Sequence, residues 1–217
     1  MSTVRDIVVV GAGGFAREVR WLIEEINRVE ERFRFRGYLV SDLGRLGEHD
    51  SRDEVLGDFS WLGDNRVDAA AIGIGTPKPR LAISAELTAA FPNLEWPILE
   101  HPTVIYDRAT SRVGEGSILC AGVLGTVHLE IGAFCNVNLA CTLGHEARLG
   151  RGCCLNPTVN ISGGVDLGEG TLVGTGAQIL QYLRVGEGAT VGAGAVVTKD
   201  IPAGATAVGV PAKALAR

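Results

Sequence analysis

Leu143-Gly-His-Glu-Ala-Arg148, Leu149-Gly-Arg-Gly-Cys-Cys154, Leu155-Asn-Pro-Thr-Val-Asn160, Ile161-Ser-Gly-Gly-Val-Asp166 and Leu167-Gly-Glu-Gly-Thr-Leu172 are five consecutive six-residue units in one phase. The phase holds in both directions, from Val113 to Asp200. Unit starts run Val113, Leu119, Gly125, Ile131, Val137, Leu143 and onward to Val197, and fourteen of the fifteen are aliphatic. The fifth residue of a unit is mostly small or aliphatic, as at Ser117, Cys135, Ala147 and Ala177. A period of six is neither helical nor a simple strand alternation, so it means short strands separated by tight corners and stacked in turns. Residues two apart share a face of a strand, so the fifth residue of one unit and the first of the next both point inward. The third and fourth residues then form the corner. The fourth is Gly in eight units, as a corner with positive φ favours. Three units predict a triangular turn of eighteen residues, and residues 113–202 predict five turns with a length of about 20–25 Å. Such a stack needs a cap at each open end.

The first hundred residues are organised differently. Ile7–Val10 reads as a strand, followed by Gly11-Ala-Gly-Gly-Phe-Ala16 and a helical run from Arg17 to about Glu31. Phe35–Val40 reads as a second strand ending at Ser41-Asp42. Residues 44–54 read as polar loop, and Val55–Leu62 as a short helix or turn. Ala69–Ile74 reads as a third strand, Arg80–Phe91 as a helix and Glu95–Leu99 as a fourth strand. Alternating strands and helices predict a small parallel sheet. The expected organisation is therefore an α/β Rossmann-like domain over residues 1–102 and a parallel β-helix with a C-terminal cap over residues 103–217. The glycine turn between strand and helix lets backbone approach a diphosphate, with helix-terminal N–H groups facing the charge. Asp42, at the end of the second strand, is placed to accept from a sugar hydroxyl or a base. About ninety residues precede the repeat, enough for one mononucleotide-sized half, which disfavours a dehydrogenase.

Composition narrows the class. The chain has 217 residues, a formal net charge of −5 and five Cys. The acidic balance argues against a nucleic-acid partner. No stretch is long and apolar enough to span a membrane, and Met1–Asp6 leads directly into a strand without the layout of a secretory signal. The cysteines lack metal-ligand spacing, and Cys135, Cys141 and Cys153 fall at inward repeat positions, where a thiol fills space. The expectation is a cytoplasmic protein with no metal.

Of four His, His49 reads as solvated, His101 at the domain junction as structural, and His128 as an exposed corner residue. His145 sits at the third position of its unit and projects outward. Glu146 follows at the fourth position, so the corner allows both side chains to face one outside groove.

The order of Gly-Ala-Gly-Gly-Phe-Ala-Arg-Glu and then a hexapeptide helix carrying Gly-His-Glu resembles the sialic acid O-acetyltransferase family of sugar acyltransferases, over nearly the whole chain. That family includes bacterial N-acetyltransferases acting on nucleotide-linked amino sugars. The resemblance implies a left-handed β-helix, a homotrimer and acetyl-CoA as co-substrate. It implies a nucleotide-sugar acceptor, with His145 as general base and Glu146 as its supporting acid. It further implies an acceptor site at Gly13, Gly14, Phe15, Ser41, Asp42, Ile74 and Asn138. Gly163, whose N–H approaches the acyl carbonyl, and Thr175, Ala193 and Lys199 are implied along the coenzyme A groove. Cys154 stands where members often have a second His, and Phe15 where many have His, so the oxyanion and the acceptor's nucleotide end are expected to be handled differently. The tail Val208-Gly-Val-Pro-Ala-Lys213 is similar to the family's closing motif, which implies that it ends the stack and contacts the acyl carrier.

The preferred expectation is N-acetylation of a nucleotide-linked amino sugar by direct transfer. O-acetylation of sialic acid or another sugar and a noncatalytic sugar-nucleotide-binding module are alternatives. A β-helical carbonic anhydrase needs three His ligands, and the repeat holds only His128 and His145.

Overall fold

A computed structural model describes residues 4–215. The reading of Met1–Thr3 as part of a non-signal start lies outside the described residues. The front layer is a parallel sheet of β1 (Arg5–Val10), β2 (Phe33–Val40), β3 (Val55–Asp58) and β4 (Ala69–Ile72), in the order β3-β2-β1-β4. Helix α1 (Gly14–Val29) covers one face, and α2 (Trp61–Asp64) and α3 (Pro77–Ala90) cover the other. Ile7–Val10, Tyr38–Val40 and Ala69–Ile72 are apolar because both faces of the sheet are buried there. Ile7 and Val9 meet Val19, Leu22, Ile23 and Ile26 of α1, while Val8 and Val10 meet Leu62 and Leu87. Each of the large aliphatics contributes about 1.5–3 kcal/mol on burial. Asn27 joins α1 to β2, donating to the Phe33 carbonyl and accepting from the Arg32 and Phe33 amides.

Two expectations for this layer are corrected. Val55–Asp58 is an edge strand, not a helix or turn, and only Trp61–Asp64 is helical. Four residues beside two 3-10 turns carry too little pattern to announce a strand. Glu95 makes a single parallel bridge to Ala69, and Leu99–Glu100 leaves the front sheet to pair with Ile118–Leu119.

The remainder is a left-handed parallel β-helix. Its three faces are ladders in which residue i pairs with i+18: Ile118 with Asn136, Cys154, Leu172 and Thr190; Leu124 with Thr142, Asn160, Gln178 and Val196; Arg112 with Glu130, Arg148, Asp166 and Arg184. The inward positions are buried as the phase requires, with Leu119, Val137, Leu155, Val173 and Val191 all at zero exposure. Cys135, Cys141 and Cys153 belong to this core. Every corner from residue 116 to residue 194 has positive φ at the fourth position: eight Gly, and His128, Phe134, Ala140, Glu146, Thr158 and Tyr182. The corners line up into three edges. One carries Gly116, Phe134, Gly152, Gly170 and Gly188, a second Gly122, Ala140, Thr158, Gly176 and Gly194, and the third His128, Glu146, Gly164 and Tyr182.

The stack reaches below the phased repeat. Leu99 pairs with Ile118 and Ile105 bridges Leu124, both nineteen apart, whereas Arg112 pairs with Glu130 at eighteen. One extra residue between Ile105 and Arg112 therefore breaks the period in the first turn. At the other end, Thr206–Val208 continues a ladder, and Lys213–Ala214 returns antiparallel to close it.

The front layer is clamped to the first edge. Phe134 inserts beside Trp96, edge to face at 5.3 Å, and packs with Leu87 and Leu94. Arg80 is fully buried; its guanidinium donates to the carbonyls of Ile72 and Ile74 on the front layer, and of Gly116, Phe134 and Cys135 on the β-helix. Burial alone pulls its pKa below the usual guanidinium value. Five carbonyl dipoles take the place of a counter-ion, so one side chain ties the two parts together.

Candidate active site

His145 and Glu146 project from the third edge. Their side chains are 52% and 60% exposed, and His145 Nδ1 lies 3.5 Å from Glu146 Oε2. Glu146 has φ +61°, and that left-handed turn is what swings two consecutive side chains to the same side. The corner is pinned on both sides, since Glu146 donates its amide to the Val127 carbonyl and the His145 carbonyl accepts from Gly164. Gly163 lies one rung above His145. A Cβ there would stand 2.3 Å from His145 Nε2, so the imidazole rests on bare backbone. Beside the pair is an open groove of about 570 Å³, walled by His128, Glu146, Tyr182 and the alternating charges Glu130, Arg148, Asp166 and Arg184.

The front layer carries a second hollow of about 160 Å³ at the carboxyl ends of β1, β2 and β4. Gly11, Ser41, Asp42 and Ile74 line it, together with Asp50, which the sequence did not single out. Asp42 also accepts from the Gly44 amide, which fixes its loop. Gly13 precedes α1 as its N-cap and Gly14 is its first residue, while Phe15 is half-buried against the α1 core. These three therefore flank the hollow without lining it. Gly73, which sequence reading passed over, is obligatory: a Cβ there would lie 2.8 Å from Ala16 and Val9, and this closeness is why the third motif position is Ala.

The remaining residues divide between edges. Gly163 and Lys199 stand on the His145 edge. Asn138, Thr175 and Ala193 stand at the neighbouring edge, where Asn138 is 8% exposed and its side chain accepts from the Leu139 amide. Cys154 lines neither groove. It is fully buried on the face beneath the front layer, and burial pushes its thiol up to about 11. The resemblance implied a place near the donor because members often have His at this position; here the front layer covers that face. Cys153 is also fully buried, inside the β-helix. His101 is structural, accepting from the Thr103 amide at Nδ1 and stacking on Trp21. Among the described residues no three His, Cys, Asp or Glu converge as a metal site.

No family model and no curated protein matches the chain. Solved structures do. PerB from Caulobacter crescentus, in complex with CoA and GDP-perosamine, is 26% identical with a TM-score of 0.84, and all of both chains is covered. The acetyltransferase domain of PglB from Neisseria gonorrhoeae, in complex with acetyl coenzyme A, is 27% identical with a TM-score of 0.83, covering 98% of this chain and 100% of that one. WeeI from Acinetobacter baumannii is 29% identical with a TM-score of 0.82, covering 96% and 99%. The chain is a hexapeptide-repeat sugar acyltransferase. The likeness backs the sugar N-acetyltransferases more than the sialic acid O-acetyltransferase label. Single-histidine variants of the Caulobacter perosamine N-acetyltransferase have also been solved with CoA and GDP-perosamine. In this acyltransferase the open His145–Glu146 pair offers an imidazole beside a carboxylate, and the front hollow offers a recess lined by Ser41 and Asp42.

Proposed function

We propose that the protein is an acetyl-CoA-dependent N-acetyltransferase acting on a nucleotide-linked amino sugar, in the cytoplasm and in glycan or polysaccharide synthesis. The observation that carries this reading is the likeness of both halves at once, over the full length, to PerB with CoA and GDP-perosamine. A hexapeptide helix alone would argue only for acyl transfer. The front layer, with its Ser41–Asp42–Ile74 hollow, supplies a place for the nucleotide end of the acceptor.

The transfer is direct. The acceptor amine attacks the thioester carbonyl carbon, a C–N bond forms, the C–S bond breaks and the CoA thiolate leaves. His145 Nε2 takes the proton from the attacking nitrogen and can return it to the leaving sulfur. Glu146 holds the ring from the Nδ1 side. The general base supplies about 10² to 10⁴ in rate, and positioning with backbone donors such as the Gly163 N–H supplies the rest. Both Cys153 and Cys154 are too buried to act as nucleophiles.

A homotrimer completes this reading. The proposed contacts lie on two edges of one prism, and a groove offering both needs a neighbouring copy of the chain. The test is a panel of UDP-, GDP- and TDP-amino sugars with acetyl-CoA, read by thiol release. Turnover with one 4-amino sugar and none with its hydroxyl analogue is expected. Turnover with hydroxyl acceptors alone, or none with any member, would overturn the reading.

A further inference from the structure

We propose that Tyr182 is a specificity-determining contact for the pantetheine arm of the acyl donor, an inference that rests on the acyltransferase reading above. Tyr182 occupies a corner with φ +59°, a backbone region that bulky side chains avoid. Nothing in the core compensates for this, since the residue is 68% exposed. Strained non-glycine residues held without core packing cluster at functional sites. Of the other large corner residues, Phe134 docks the front layer and Glu146 stands beside His145, while His128 lines the same groove lower on the edge.

The Tyr182 ring is placed, not loose. It lies back over Gly164, where a Cβ would stand 2.3 Å from the ring. Gly164 is the one glycine among the corners at 128, 146, 164 and 182, and it sits where the ring needs bare backbone. The ring centroid is 6.3 Å from that of His145, inclined at 60°. Tyr182 thus walls the side of the base that faces the C-terminal end of the stack. Third-position residues on this edge run His145, Gly163, Gln181, Lys199. The two proposed donor contacts on the edge, Gly163 and Lys199, bracket the ring. An arm that starts as a thioester at His145 and ends as phosphate at Lys199 must cross it. A flat aromatic face suits the alternating methylenes and amides of that arm, and an ammonium suits the phosphate.

The test is calorimetric titration of CoA into the full-length wild type, Tyr182→Ala, Tyr182→Phe and Tyr182→Gly, with melting temperature and sedimentation for each. The expected result is a CoA Kd weakened about tenfold in the Ala and Gly variants, equivalent to about 1.4 kcal/mol, and little change in Phe. The Gly variant should melt no lower than wild type, because its corner favours glycine. The KM for acetyl-CoA should rise while that for the acceptor stays put. A Tyr182→Ala that binds CoA as wild type does, or that loses affinity only together with the oligomer, would overturn the proposal. A wild type that turns over while Tyr182→Ala keeps its CoA affinity sinks this inference alone; a wild type that binds no CoA sinks the acyltransferase reading with it.

Discussion

Two edges of the same prism share one backbone and differ in what their corners carry. The edge under the front layer has Gly at 116, 152, 170 and 188, with Phe134 as its single large residue. The open edge has His128, Glu146 and Tyr182, with Gly164 as its single glycine. Every one of these residues has the same left-handed turn, so the default is glycine and each departure costs about 1–3 kcal/mol. A departure is retained where the side chain is used. On the covered edge the use is docking; on the open edge the proposed use, at Glu146 and Tyr182, is chemistry and donor binding. A hexapeptide corner is therefore read best by asking which side chains are there in spite of the turn.

Substitutions can break or sharpen that contrast. The largest effect is expected at the open edge: His145→Ala should lower turnover by about 10² to 10⁴ with the melting temperature unchanged, measured by thiol release and calorimetry. Near-normal rates would remove the open edge from the chemistry. Phe134→Ala should act the other way. It should cost about 3–5 kcal/mol in denaturant unfolding through the lost contact with Trp96, Leu87 and Leu94. A loss at Phe134 no greater than at exposed Tyr182 would erase the distinction between the edges. Gly163→Ala should fold normally yet reduce turnover about tenfold or more, because the added methyl displaces the imidazole. An unaltered rate would show that the ring does not need that seat.

The smallest effect concerns the buried thiols. Burial pushes the thiols of Cys141 and Cys154 up to about 11 and that of Cys120 up to about 12. The native protein should not react at these thiols with iodoacetamide at pH 8. The raised values favour the protonated thiols in the folded state. Their contribution is complete below the ordinary thiol pKa and is lost as pH rises from about 9 through about 11 for Cys141 and Cys154 and about 12 for Cys120. Melting temperature should fall over that window; a flat profile would mean these thiols are open to water.

The β-helix was legible because its signal is strict: each inward residue repeats at a fixed spacing and each corner tolerates few residue types. The first turn was not, since one added residue between Ile105 and Arg112 shifts its phase, and Leu99 looked like a strand of the front sheet. Val55–Asp58 hid for another reason, being four residues of edge strand with little pattern. At the site, register alone placed His145 and Glu146 outward on one corner, and the family resemblance supplied the roles proposed for them. The burial of Cys154 could not, because it depends on Arg80 and the front layer closing over that face from fifty or more residues away. Tyr182 was passed over in the sequence, and nothing in the chain said where its ring would lie.

The eighteen-residue register also constrains how such a chain can change length. A residue inserted within the stack would turn every later inward side chain outward, so growth there comes in whole turns, each displacing what lies beyond by about 4.8 Å. The odd residue before Arg112 sits in the lowest turn, with no rung beneath to be thrown out of step. Lengthening is thus cheapest at the ends, and the spacing between the imidazole and the front hollow is a quantised distance that point substitutions leave alone.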